Sequence, residues 1–177
     1  MKCRIRKTFS WLLLLGALLL SLSLMVGMLT VKSAAAAIRQ QEETPGQLVY
    51  QSRQTLKDPH GNSWIAIAFK RIRPDGRTSF SLRLVGFPGM VEIDRARPLV
   101  LTNSLGKKLT AADVSSNIFT DSAVPEPHIG QYDLQPLLAQ LQAEIPLKLT
   151  LPTIGGEAIN LSVPPSFVQE WKTLASL

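Results

Sequence analysis

The chain holds one cysteine, Cys3, and only two histidines, His60 and His128. A lone cysteine excludes an intramolecular disulfide framework, and so little thiol and imidazole leaves a structural zinc site short of ligands. Missing as well are a Gly-x-Ser-x-Gly elbow, a His-Glu-x-x-His pair, a phosphate-cradling glycine loop and a calcium loop,. The expectation is therefore no metal, no cofactor and no enzyme of a familiar class. Asp58 with His60, or Glu126 with His128, could make an acid–base couple, and a hydrolase using loop carboxylates or histidine is the third-ranked reading. Both histidines lie in turn-rich sequence and read as solvated loop residues,.

Charge is present but unevenly spread. The whole chain of 177 residues carries 19 Lys+Arg against 13 Asp+Glu, a net charge of +6. Five of those cations (Lys2, Arg4, Arg6, Lys7 and Lys32) fall in residues 1–37, which contain no acid. That segment has the three parts of a secretory leader: a cationic start, an apolar run from Trp11 to Val31, and the small-residue exit Ala34 to Ala37,. Cleavage is expected between Ala37 and Ile38. The alternative is retention as a membrane anchor over residues 12–31, because about 20 apolar residues suffice to span a bilayer. Either way the N-terminal helix meets the membrane during export, and the rest of the chain is expected outside the cytoplasm.

Without the leader, 14 cations face 13 acids, a net charge of +1. Nucleic acid is a poor partner for so neutral a domain, since neutralising phosphates needs a clear cationic excess. The balance is nevertheless sorted along the chain: Arg53 to Lys108 holds 11 cations and 4 acids, Leu109 to Leu177 only 2 cations and 7 acids. Lys70, Arg71, Arg73 and Arg77 form the densest group, a candidate patch for docking an acidic protein surface or anionic headgroups,. The competing reading is a charged, soluble hairpin guarded against edge pairing.

Pattern assigns the fold. Residues 38–46 are polar and end at Pro45-Gly46, a flexible linker before one globular domain over 47–177,. Strands are expected over Leu48–Leu56, Trp64–Ile72 and Thr78–Val85, with Arg73-Pro74-Asp75-Gly76 closing a hairpin,. Trp64–Ile72 is apolar on both parities and suits a strand covered on both sides. Shorter strands follow at Met90–Ile93 and Pro98–Thr102, then a short helix after Thr110–Asp113 and a loop over Asp121–Gly130,. A helix from Leu134 to Glu144, a hairpin pairing Leu147–Leu151 with Ile159–Val163, and a helix after Pro164 complete the chain,. The expected class is α+β, an antiparallel β-meander sheet with two main helices in the C-terminal half. Phe87 and Met90, flanking the turn Phe87-Pro88-Gly89-Met90, are expected to seal one end of the core, and if exposed to form a contact point.

Leu82-Arg83-Leu84-Val85-Gly86-Phe87-Pro88-Gly89, Arg97-Pro98-Leu99, Gly130-Gln131-Tyr132-Asp133-Leu134 and Glu170-Trp171 make Gln47 to Lys172 resemble a family of uncharacterised exported proteins of cyanobacteria. The resemblance implies a cyanobacterial source and a periplasmic or thylakoid-lumen address. It implies no activity. The function expected from all of this is a non-enzymatic binding or assembly module acting on an extracytoplasmic protein complex or membrane surface. A carrier of a small apolar ligand is the alternative.

Overall fold

The computed structural model describes residues 16–17, 38–118 and 125–177. Gly16 and Ala17 are helical and exposed; the rest of the expected leader and anchor, with Ala37 at its cleavage site, lies outside the described residues. Among the described residues no helix is long and apolar enough to cross a membrane. Residues 38–118 and 125–177 belong to one compact unit.

Alternation dictates the first sheet. β2 (Gln47–Lys57), β3 (Ser63–Ile72) and β4 (Thr78–Val85) form an antiparallel meander in which Ser52 faces Ala68 and Ala68 faces Leu82. Most even-numbered side chains, among them Trp64, Ala66, Phe80 and Leu84, are buried in the core. Residues 38–46, expected as a flexible linker, instead contribute β1 (Arg39–Thr44), paired with β2. Its side chains are all exposed, so no apolar period marks it; backbone pairing and the Gly46 turn, closed by Glu42 Oε1 accepting from the Gly46 N–H at 2.8 Å, hold it in place. β7 (Ile129–Asp133) completes the sheet in the order β1-β2-β3-β4-β7.

A second sheet replaces the continuation of the meander. β5 (Leu99–Asn103), β6 (Lys108–Ala111), β8 (Leu147–Leu151) and β9 (Ile159–Val163) lie in the order β6-β5-β8-β9, all antiparallel. The segment Met90–Ile93 reaches this end of the fold through a single bridge, Ile93 to Thr153.

The described globular unit has one main helix, not two. It spans Pro165–Ser176, with proline preset for the first turn and Val168, Trp171 and Leu174 buried,. The expected helix from Leu134 is instead a 3-10 turn over Gln135–Gln140. Asp133 Oδ1 accepts from the Gln135 N–H at 2.9 Å, which fixes a local turn, and the chain turns extended again at Leu141,. The tighter turn still buries Leu134, Leu137 and Leu141. The helix expected after Thr110–Asp113 likewise shrinks to a 3-10 turn at Ser115–Asn117, because Thr110 and Ala111 are committed to β6.

Candidate docking surfaces

A strand's two-residue period decides where the four hairpin cations go. Lys70 shares the even parity of Ala66 and Ala68 and points inward; its Nζ donates to the Ala175 carbonyl at 2.9 Å, tying the sheet to the last turn of the C-terminal helix,. Arg77 is folded onto Asp75 at the hairpin tip, Nε to Oδ2 at 2.6 Å, and this hydrogen bond holds the Asp75 carboxyl below its usual range. Arg71 is outward and meets Glu43 of β1, Nη2 to Oε2 at 3.0 Å. Arg73 lines a 180 Å³ recess with Arg71, Ser79 and Gln131. The four therefore do not make one patch: Arg71 and Arg73 share the outer recess, Lys70 serves the helix and Arg77 the turn.

The outer face of the first sheet has a different centre. Phe69 is only 4% exposed although it points away from the core. Two guanidiniums cover it, those of Arg71 at 5.5 Å and Arg83 at 5.4 Å from the ring centroid,. Arg83 is held by Gln131 of β7, whose Oε1 accepts from Nε at 3.1 Å and Nη2 at 2.8 Å. Burial first, and then the neighbouring Arg71 charge, lower the Arg83 pKa. Around this centre lie Ile65, Ile67, Val85 and Ile129, all partly exposed, with the exposed Arg53 beside Ile67 in the register. The apolar odd parity of β3 is thus covered partly by arginine side chains. Arg53 and Arg83 were absent from the expected patch; the signal for both was their alternation phase, which they share with Arg71.

At one end of the fold the loops build a second surface. Phe87 is 68% exposed and Met90 44%, so the turn does not seal the core. Trp64 fills that place: a Cβ on Gly86 would lie 2.9 Å from its Cη2, so the ring packs directly under the chain just before Phe87. Met90 joins Ile154, Glu92, Glu157 and His60 around a cleft of about 650 Å³. A neighbouring cleft of about 610 Å³ shares Glu92 and Ile154 with it and extends to Arg95 and Glu126. Neither cleft is lined by leucine or phenylalanine.

The two histidines line no common cleft among the described residues. His60 lines the larger cleft, whereas His128 is absent from both linings and is buried at 6% exposure, not solvated as expected. Its carbonyl accepts from Gly86 N–H at 3.0 Å, and its Nε2 meets Glu126 Oε2 at 3.2 Å. No cluster of three or more metal-ligating side chains occurs among the described residues.

Residues 36–174 match the model of a family described as a protein of unknown function, DUF3122, and the chain belongs to that family. No curated protein and no solved structure matches it.

Proposed function

We propose that this DUF3122 chain is a non-enzymatic docking module that engages an acidic protein surface through the outer face of its first sheet, outside the cytoplasm. The observation that carries the reading is the pair of guanidiniums laid over Phe69, amid partly exposed isoleucine and valine. Stacked and hydrogen-bonded arginines have already lost much of their rotamer freedom, so pairing them with a partner carboxylate costs little further ordering. An apolar centre with an arginine rim is also the composition that carries binding energy at protein interfaces. The cationic excess of Arg53 to Lys108 adds steering toward acidic partners,.

Export is part of the proposal. The cationic start, apolar run and alanine exit of residues 1–37 support it, and the resemblance of Leu82–Gly89 and Glu170-Trp171 supports the periplasm or thylakoid lumen of a cyanobacterium. N-terminal sequencing of protein recovered from its native source should begin at Ile38.

The docking test is capture from that source with the unmodified chain and with an Arg53→Glu/Arg71→Glu variant. Salt-sensitive capture of an acidic protein, weakened about tenfold or more by the variant, is expected, a loss of about 1.4 kcal/mol. Unchanged capture would overturn the reading. So would a variant that loses only binding to anionic lipid vesicles, because the face would then serve a membrane.

A further inference from the structure

We propose that the paired clefts at the loop end bind a second partner, an extended polypeptide segment carrying lysine or arginine beside large apolar side chains. Among the described residues, five large apolar side chains stand out as exposed, and three of them, Phe87, Met90 and Ile154, belong to the two loops that meet here. Met90 and Ile154 line the larger cleft, and Ile154 and Glu92 together form the ridge between the two hollows. That ridge is pinned by backbone hydrogen bonds, Ile154 N–H to Glu92 O at 2.8 Å and Asp94 N–H to Pro152 O at 3.0 Å. The hollows are therefore set by paired backbone, which limits the ordering cost of binding.

Charge selects the occupant. Glu92 and Glu157 are exposed, and neither carboxylate forms an ion pair among the described residues. The local cations are already engaged. Arg95 Nη2 donates to the carbonyls of Pro125, Glu126 and Ile129 at 3.0, 2.7 and 3.0 Å. Arg97 is committed to Asp94 Oδ2 at 2.6 Å and to the Thr153 carbonyl at 3.0 Å. An acidic ligand would meet four lining carboxylates, Glu92, Asp94, Glu126 and Glu157, against one lining guanidinium, Arg95, and so would an anionic membrane surface,. A basic, apolar segment matches both the ridge and its rim.

The experiment presents the full chain, its apolar N-terminal run held in zwitterionic nanodiscs, to an immobilised array of random decapeptides spanning charge and hydropathy. Bound peptides should be enriched in Lys or Arg together with Leu, Ile, Phe or Met. Glu92→Gln/Glu157→Gln should abolish the preference for basic residues and weaken the best peptides by about tenfold. Met90→Ser/Ile154→Ser should abolish the preference for apolar ones. All four positions bar none are surface sites, so circular dichroism melting should be unchanged and a lost signal is not an unfolded protein. Enrichment of acidic peptides, or indifference to both double variants, overturns the proposal. It is equally overturned if the Met90→Ser/Ile154→Ser change affects only vesicle binding or only self-association. Arg53→Glu/Arg71→Glu should leave the array pattern intact, so this inference and the sheet-face reading fail separately.

Discussion

The outer face of the first sheet and the loop end of the fold are both apolar centres bordered by charge, yet they hold their charges in opposite ways. On the sheet the arginines are anchored: Arg71 on Glu43 and Phe69, Arg83 on Gln131 and Phe69. At the loop end the cations are consumed by the fold and the acids Glu92 and Glu157 are left unpaired among the described residues. The difference follows from backbone type. Strands repeat every two residues and place side chains in register with neighbours that can brace them. Loops use their polar groups to satisfy their own backbone, so the charges left over project to solvent.

The largest perturbation removes what the two regions share. Trp171 is fully buried between the C-terminal helix and the sheets, and its Nε1 has no hydrogen-bond partner among the described residues. Trp171→Ala should cost about 3–5 kcal/mol and cripple both surfaces together, read as a fall in the urea midpoint. Trp171→Phe keeps a ring, forfeits no hydrogen bond and leaves a smaller cavity, so it should lower the midpoint clearly less than Trp171→Ala. If Trp171→Ala abolished one surface and left the other at full stability, the single shared core would be disproved.

A smaller change separates neighbours on one strand. Lys70→Met keeps the alkyl stem but loses the bond to the Ala175 carbonyl, and should destabilise the fold by about 1 kcal/mol while leaving partner capture unchanged,. Arg71→Met should do the reverse: the ion pair with Glu43, whose carboxylate is 38% exposed, contributes little to stability and the methionine stem still covers Phe69, so capture falls while the fold loses less than about 1 kcal/mol,. Thermal melts and capture, run on both variants, give this cross-pattern directly. Equal effects of the two on capture would restore the hairpin cations as one patch.

That contrast also marks what could be read from the chain. The β2–β4 meander, the Ile159–Val163 hairpin and the final helix follow from clear periodicity. So does the inward phase of Lys70, which counting residues from Ala66 would have revealed; clustering of charge along the chain masked it. β1 was illegible because nothing in it is buried, and β7 because Gly130-Gln131-Tyr132 carries too few apolar residues to show a period. Arg83 and Gln131, 48 positions apart, become partners only when β7 pairs with β4. The loop-end surface exists because Phe87 and Met90 stay exposed while Trp64 packs against Gly86, a packing outcome no local pattern encodes.

The smallest expected effect divides the two regions by pH. Asp58 sits in the turn that presents Pro59 and His60 to the larger cleft. Burial works to raise its pKa, but hydrogen bonds from Asn62, His60 and Trp64 outweigh it and hold the carboxyl below its ordinary value of 3.8,. A group depressed in the folded state contributes its stability above the unfolded value, and that contribution disappears as pH falls through the folded one. Acidification should therefore loosen this turn. The protection of the Gly61 amide, whose N–H donates to the Asp58 carbonyl at 3.0 Å, should fall relative to its intrinsic exchange rate as pH drops below 3.8, ahead of protection in β4,. Asp58→Asn should make the Gly61 response independent of pH over that interval; a Gly61 amide that opens only together with β4 would show that the loop end and the sheet are one cooperative unit.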